Sequence, residues 1–293
     1  MALLRGERFY QLFISAVVIL LSVASLYPLL YVVAVSLVNE QEWTASGGFI
    51  LWPKEPTLQA YRKIFEGPAF ATAFGISVLR TFLGTFLTLA ATAITAYAVS
   101  RRSLPGRGVL LFLIVATILF NSGLIPSYLV VKDLGMLDSI WALVIPGAVD
   151  SWSVLVLKQF FDNIPKELEE SARIDGAGEF RVMTKIMLPM SVPAFAAIGL
   201  FMAVAHWNSW FDALIYITDT TRQPLQLLIR NLFVSADLGA QFNSSMVTNP
   251  SARVAAESLK MAVVVIGIIP ILCIYPFLQK HFTKGMYVGA VKG

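Results

Sequence analysis

The sequence predicts an all-α polytopic membrane protein with six transmembrane helices. Of its 293 residues, 57% are apolar and only 14% are charged, whereas a soluble domain carries about 25% charged residues. The mean hydropathy is +0.73. Six separate apolar stretches each reach the length of about 20 residues that a helix needs to cross a bilayer.

The six predicted spans form one transmembrane domain that covers residues 1–293. Their boundaries are 10–38, 70–98, 108–131, 139–161, 190–217 and 260–279. The third span contains Asn121, Gly123 and Pro126, so we expect it to be kinked, or short and followed by an interfacial turn. A cleavable signal peptide is the alternative for the first span, but the apolar run continues beyond an ordinary signal sequence to Val38.

Basic residues cluster on one side of the predicted spans and therefore set their orientation. They precede span 1, fill the link between spans 2 and 3, and follow span 6: Arg5, Arg8, Arg101, Arg102, Arg107, Lys280, Lys284 and Lys292. Both termini are predicted to be cytoplasmic in a multi-pass protein of the inner membrane. The net charge of +4 then reflects orientation rather than nucleic-acid binding.

The composition also argues against catalysis by this chain. The single cysteine, Cys273, excludes an intrachain disulfide, and two histidines leave little for a zinc site or an acid–base relay. The sequence has no Gly-x-x-x-x-Gly-Lys-Ser/Thr loop that would cradle a nucleotide phosphate. We therefore expect no catalytic residues, no metal site and no cofactor bound by this chain.

The only substantial loop on the predicted cytoplasmic side covers residues 162–189. We expect Asp162 or Asn163 to cap a short helix, Pro165 to occupy its first turn and Gly176 to end it. A second short helix over 177–187 would follow, and Leu188-Pro189 would turn the chain into span 5. A plain solvated connector is the alternative interpretation, because the loop carries charges of both signs.

The residues of this loop resemble the EAA loop of permease subunits from ABC importers. The matching positions are Glu170, Ser171, Ala172, Asp175, Gly176, Ala177, Leu188 and Pro189. Serine stands at position 171 where alanine is usual. The span layout, the segment from Trp207 to Asp212 and the C-terminal residues extend the resemblance to carbohydrate importers, especially the shorter permease of alginate importers.

This resemblance implies a type I ABC importer permease fold and a role in importing an oligosaccharide or polysaccharide fragment, possibly alginate. The loop at 162–189, called the coupling loop below, would receive movement from a separate ABC ATPase dimer that binds ATP and Mg. Further implied partners are a second homologous permease and an extracytoplasmic solute-binding protein. The binding protein would meet the outer loops at 39–69 and 218–259.

Ionisable residues inside membrane spans are costly, and they usually face a partner or a cavity. Arg80 and Asp150 lie at similar depths in spans 2 and 4, both of which run inward. We expect both side chains to face the interior, paired with each other or lining the solute path. The alternative for Arg80 is that its long side chain reaches the outer interface.

Span 5 carries a second polar group, namely His206, Asn208, Trp210 and Asp212. Asn208 and Asp212 are four residues apart, so one continuous helix would place them on the same face. Aromatic faces pack against sugar C–H groups, and amides and carboxylates bind hydroxyls, so the group fits a saccharide path. An interfacial belt of tryptophans is the alternative interpretation.

Two other functions are compatible with parts of this pattern. An ABC permease for a non-sugar solute would share the coupling loop and differ only in its path residues. An ion-coupled secondary transporter would need buried carboxylates, for which Asp150 and Asp212 are the candidates, and often an inverted repeat, which the sequence does not show.

Overall fold

The computed structural model describes residues 5–120, 122–234 and 255–290, with side chains from residue 10 to residue 274 of those ranges. Every regular element in these ranges is helical, which confirms the predicted all-α fold. The helices are α1 (Arg5–Ser36), α2 (Glu40–Ala45), α3 (Gln59–Glu66), α4 (Pro68–Ser100), α5 (Arg107–Leu119), α6 (Leu124–Asp133), α7 (Ile140–Val144), α8 (Ser151–Asp162), α9 (Lys166–Ile174), α10 (Glu179–Val182), α11 (Leu188–Met190), α12 (Val192–Asn208), α13 (Phe211–Tyr216), α14 (Leu225–Val234) and α15 (Ala256–Ala290).

Some of the sequence-based expectations fall on residues outside those ranges. They concern Asn121 in the third predicted span, residues 235–254 of the outer loop at 218–259 and the last residue pair, Lys292-Gly293.

Three helical segments are by themselves long and apolar enough to cross a membrane. They are Tyr10–Ser36, Pro68–Ser100 and Ala256–Ile274. Two further crossings arise if each bent helix pair, α5 with α6 and Glu179–Met190 with α12, counts as one span. The number of six spans therefore stays a prediction.

The third predicted span, expected to be interrupted, divides into α5 and α6, and two further predicted spans are not single helices either. Over 139–161 the chain forms α7 and α8, separated by 145–150, where Pro146 and Gly147 disfavour a continuous helix. Over 190–217 it forms α12 and α13, because Ser209 takes an extended conformation with φ −74° and ψ 127°. Hydropathy detected these stretches correctly as apolar but could not detect the breaks.

Contacts divide the chain into two compact units, Met1–Phe70 with Ile229–Ile269 and Ala71–Leu228 with Pro270–Gly293. In the first unit, Asn39 caps α2 by accepting a hydrogen bond from the N–H of Glu42 at 2.8 Å. The hydroxyl of Ser258 in α15 donates to the carbonyl of Val38 just after α1, at 2.9 Å. Both hydrogen bonds occupy backbone groups that a helix end leaves free.

The second unit contains two apolar clusters, which position the candidate sites. The larger cluster joins α4, α8, α12 and the helical turns between α9 and α12, and includes Ala96, Leu157, Val182, Met187 and Ile198. The smaller cluster joins α6, α7, α13 and the start of α14, and includes Val131, Leu143, Ala213, Tyr216 and Leu227. The coupling loop therefore packs on one cluster, and the end of the α12–α13 segment packs on the other.

Candidate functional site

The first helix of the coupling loop is α9, and it begins later than the sequence suggested. Asp162 is the last residue of α8 and Asn163 caps its C-terminal end, so neither residue caps α9. Pro165 occupies the N-cap position of α9. The expected side-chain cap is absent because α8 continues through Asp162, leaving Asn163 to end that helix instead.

The end of α9 at Gly176 explains why the loop motif needs a glycine. Gly176 has a positive φ of 79°, a left-handed conformation that costs glycine little. Its N–H donates to the carbonyl of Arg173 at 3.0 Å, and the N–H of Ala177 donates to the carbonyl of Ala172 at 2.9 Å. This pair of hydrogen bonds is a Schellman motif, which fixes the direction in which the chain leaves the helix.

The second half of the coupling loop is a helical stretch over Glu179–Met190 that includes a π-helical turn at Met183–Met187. The stretch begins later and ends later than the predicted 177–187, so Leu188 and Pro189 lie inside its last turn. Pro189 has no N–H to donate, and the preceding π turn already displaces the normal hydrogen-bond pattern. The turn into α12 falls at Ser191, where the axis bends by 85°.

The motif residues divide into a packed set and an exposed set. The side chains that pack on the larger apolar cluster are Ala172, Ala177 and Leu188. The exposed residues are Glu170, Ser171, Asp175, Gly176 and Pro189. Two large apolar side chains on the same loop, Ile174 and Phe180, are 86% and 75% exposed. The loop thus has one face fixed to the protein and one free face that combines acidic and apolar groups.

A charged network connects this loop to the end of α4. Arg101 just after α4 forms an ion pair with Glu169 of α9, and both side chains are largely buried, at 15% and 16% exposed. The Tyr97 hydroxyl donates to Glu179, and the Arg101 guanidinium lies 4.1 Å from the centre of the Tyr97 ring. Glu179 also pairs with Arg173 at 2.5 Å.

Sequence reasoning missed this network. It assigned Arg101 to membrane orientation and gave Glu169 no partner, since charged residues near a membrane-facing loop have ordinary local explanations. The usable signal was the basic link after α4 together with the acidic first turn of α9.

A second buried network lies where α12 ends. Arg80 of α4 is only 2% exposed and forms an ion pair with Asp212 in the first turn of α13. A second guanidinium nitrogen of Arg80 donates to the carbonyl of Ser209 at 2.9 Å. The other carboxylate oxygen of Asp212 accepts hydrogen bonds from the Ser209 hydroxyl and the Ala213 N–H, both at 2.8 Å.

Of the two alternatives for Arg80 and Asp150, their pairing with each other is therefore wrong. Asp150 instead caps the start of α8, where its carboxylate accepts a hydrogen bond from the N–H of Ser153 at 2.8 Å. The residue became available as a cap because the predicted fourth span is broken just before it. The similar depth of Asp150 and Arg80 in two spans assumed to be continuous therefore did not indicate that they are partners.

The break after α12 also separates the residues expected on one face of span 5. Asn208 ends α12 and Asp212 follows the break in α13, so the four-residue spacing does not place them on a common helix face. Asn208 and Trp210 are exposed, whereas Asp212 is half-buried against Arg80. The structure therefore brings together Arg80, His206 and Asp212, with Asn208 and Trp210 on the exposed surface near them.

His206 of α12 packs directly against Gly84 of α4. A Cβ atom added at Gly84 would lie 2.5 Å from ring atoms of His206, well inside contact distance. The close approach of the two helices at this point therefore requires glycine, and it lies one turn from Arg80.

We expect Gly84→Ala to destabilise the protein by about 1–3 kcal/mol, the usual cost of overpacking. The added His206→Ala change removes the ring and should restore the melting temperature measured by heating and size-exclusion chromatography. Gly75→Ala on the same helix is the matched control, because its Cβ would meet no atom within 4 Å. Equal losses for both glycine variants, or no recovery in the double variant, would contradict this contact.

Asp138 organises the loops at the smaller apolar cluster. It has a positive φ of 55°, and its carboxylate accepts hydrogen bonds from the N–H and hydroxyl of Thr218 and from the N–H of Asp219. These hydrogen bonds, led by the one from the Thr218 hydroxyl, hold the pKa of Asp138 below its ordinary value. The carboxylate therefore stays ionised at neutral pH, and this stabilisation is lost only when the pH falls through that lowered pKa.

Within the residues that the structure describes, no group of three or more His, Cys, Asp or Glu side chains is arranged to hold a metal ion. The two networks around Arg80 and Arg101 consist of ion pairs and hydrogen bonds. Such an arrangement positions helices relative to one another and has no side chain set up as an activated nucleophile.

Comparison with known proteins gives concordant matches. Residues 94–287 match the family model described as "Binding-protein-dependent transport system inner membrane component". The chain is 44% identical to Protein LplC of Bacillus subtilis (strain 168), over 92% of this chain and 90% of that protein. It is 41% identical to the polygalacturonan/rhamnogalacturonan transport system permease protein YtcP of the same organism, over 98% and 99% of the two chains.

A solved structure resembles the fold over almost its whole length. It is a chain of a bacterial ABC transporter involved in the import of the acidic polysaccharide alginate, with a TM-score of 0.90 and 28% sequence identity. The match covers 96% of this chain and 99% of that one.

Proposed function

Because the chain belongs to the family of inner membrane components of binding-protein-dependent transport systems, we propose that it imports oligosaccharide fragments of an acidic polysaccharide. In this role it is a permease subunit of an ATP-driven importer and works by alternating access. It provides the transport path and does not itself hydrolyse ATP.

The solute class rests on relatives from two sources. One relative, 41% identical, is named as a polygalacturonan/rhamnogalacturonan transport system permease. The chain of the alginate transporter has nearly the same fold over nearly all its length. Polygalacturonan and alginate are both chains of uronic acid units. Their shared chemistry is a carboxylate on each sugar, which supports an anionic oligosaccharide as the solute.

The coupling loop is the observation that supports an ATP-driven mechanism. Its packed face fixes α9 to the apolar cluster through Ala172 and Ala177, while Glu170 and Asp175 stay exposed. The exposed apolar side chains of Ile174 and Phe180 add a surface that a partner would cover. A separate ABC ATPase dimer, carrying ATP and Mg, is the partner that we propose for this face.

The remaining partners follow from the same assignment. We propose a second, homologous permease as the other half of the transmembrane path and an extracytoplasmic solute-binding protein that delivers the oligosaccharide. Both termini of the chain would be cytoplasmic, in keeping with the basic residues at the start of α1 and after α4.

Burial and pairing of the polar side chains support a smaller set of candidates for direct solute contact. Arg80 is buried and paired with Asp212, so it is not available to an anionic sugar in this conformation. Exposed Asn208 and Trp210 are the better candidates for direct contact, because an amide binds hydroxyls and an indole packs on sugar rings. Asp150 is assigned to capping α8 and is dropped from the proposed path.

Uptake by the assembled complex in proteoliposomes tests this proposal. The four components are this chain, the second permease, the ATPase and the binding protein, with ATP enclosed. We expect saturable uptake of oligogalacturonate or oligoalginate, because both carry a carboxylate on each sugar unit. Maltotetraose, a neutral oligosaccharide of similar length, should neither enter nor compete.

Equal uptake of the neutral oligosaccharide would contradict the acidic solute. Uptake of a non-sugar solute alone would favour the alternative function, an ABC permease for a non-sugar solute. Omission of the binding protein is the control for leakage, because a genuine importer of this family should then show no saturable uptake.

A further inference from the structure

Helix α4 contacts both networks described above, one in its N-terminal half and one at its C-terminal end. It is a continuous helix of 33 residues, and proline occurs only at its first position. Arg80 and Arg101 are 21 residues apart, which corresponds to about 31 Å along a helix axis. The continuous helix α4 therefore links the two networks that contain these arginines.

At one end, α4 is held by the coupling loop. Arg101 pairs with Glu169 of α9, and Tyr97 donates to Glu179 at the start of α10. Because both helices of the loop contact the same end of α4, displacement of the loop as a body would also displace α4.

In its N-terminal half, at Arg80, α4 holds the break between α12 and α13. The carbonyl of Ser209 is freed where α12 ends, and Arg80 provides its hydrogen-bond donor. The same guanidinium pairs with Asp212, the second residue of α13. A break inside an apolar segment is stable only if such backbone groups find partners, so the position of Arg80 determines the geometry of the break.

Beyond the break, α13 packs with the short helices α6 and α7, and these three helices are called the α13 block below. Tyr216 of α13 stacks on Tyr128 of α6, with ring centroids 6.4 Å apart. Just after α13, Thr218 and Asp219 donate hydrogen bonds to Asp138, which lies between α6 and α7. A shift of α13 would therefore carry α6 and α7 with it.

We propose that Arg80 is a positioning residue for transport that passes movement of α4 to the α13 block. The coupling loop moves the C-terminal end of α4, and Arg80 in the N-terminal half of the same helix resets the α12–α13 break. This assignment rests on the family's transport function and holds whichever solute the complex carries.

The variant that tests it is Arg80→Lys. Lysine keeps the positive charge but is a single ammonium, so it cannot bridge the Ser209 carbonyl and the Asp212 carboxylate as the planar guanidinium does. We expect the complex to assemble and hydrolyse ATP, with solute transported per ATP reduced about tenfold, the size of a typical coupling between sites. Phe82→Leu is the matched control, because Phe82 lies on the exposed face of the same helix.

Asp212→Asn provides the second arm. The asparagine side-chain oxygen can still accept from the Ser209 hydroxyl and the Ala213 N–H, so the variant removes mainly the ion pair with Arg80. It should reproduce the Arg80→Lys result, and the two changes together should be no worse than either alone. Losses that multiply in the double variant would contradict a shared contact.

A fluorescence measurement makes the outcome independent of the solute. In a Cys273→Ser background, Leu214→Cys in α13 is labelled with bimane, and its emission is recorded before and after ATP and vanadate. We expect the bimane emission to shift on addition of ATP and vanadate in the protein that keeps Arg80, and to shift at least severalfold less with Arg80→Lys. A bimane emission shift that is unchanged by Arg80→Lys would overturn the proposal, as would a loss of uptake in strict proportion to lost complex. The expected emission shifts together with no uptake of any acidic sugar would contradict only the proposed solute class.

Discussion

We expect Gly176→Val to abolish most uptake and to weaken retention of the ATPase by the purified complex. The left-handed conformation of Gly176 costs an L-residue about 1–2 kcal/mol, and a β-branched side chain suffers further crowding. The Schellman hydrogen bonds that involve Gly176 and Ala177 would break or shift, so α9 would present its exposed residues in a different direction. We expect uptake to fall by about tenfold or more, measured together with ATPase recovery on affinity purification.

Gly178 offers a matched control two residues away. It has an ordinary negative φ of −72°, and a Cβ at either glycine would meet no atom within 4 Å. Gly178→Ala should therefore leave uptake near that of the unmodified protein. Uptake with Gly176→Asn should lie between the uptake with Gly176→Val and that with Gly178→Ala, because asparagine tolerates the left-handed region better than valine. Full uptake with Gly176→Val would exclude a role for this turn.

Arg101→Ala produces the second large effect, because it separates α4 from the coupling loop. The change leaves Glu169 largely buried without its ion-pair partner and removes the cation from the face of the Tyr97 ring. We expect ATP hydrolysis to continue while solute uptake falls by about tenfold. The measurement is the ratio of the two rates in proteoliposomes.

Two further variants separate the ion pair from general charge effects. The exchange Arg101→Glu with Glu169→Arg should recover part of the lost uptake, because it restores opposite charges at the same positions. Arg102→Ala should have little effect, since Arg102 is exposed and forms no ion pair within the described part of the chain. A loss for Arg102→Ala as large as that for Arg101→Ala would mean that net positive charge, rather than the contact, matters.

The sequence predicted the helical membrane fold and the glycine after α9, because both depend on local patterns. Apolar stretches of membrane length are visible without tertiary information, and a glycine that ends a helix is a local conformational requirement. The breaks at 145–150 and after Asn208 were not predicted, because the stretches remain apolar across them. Hydropathy measures the preference for lipid or a protein core and is insensitive to backbone direction.

The buried ion pairs were the least predictable part of the site. Arg80 was recognised as a functional candidate from its depth in an apolar span, but its partner was chosen from matching depth in two assumed straight helices. The break after Asn208 brings Asp212 to Arg80 instead, across 132 residues of sequence. Pairing over such a distance depends on the packing of the helices, which no local pattern in one sequence specifies.

As proposed above, this chain transports its solute with energy from a separate ATPase. The most direct measurement is uptake by the reconstituted four-component complex with ATP and Mg enclosed, compared with the same vesicles lacking ATP or given an ionophore. We expect uptake to need both the ATPase and enclosed ATP, and to be unchanged when ion gradients are collapsed. Uptake by this chain alone, driven by an ion gradient and indifferent to ATP, would contradict the account.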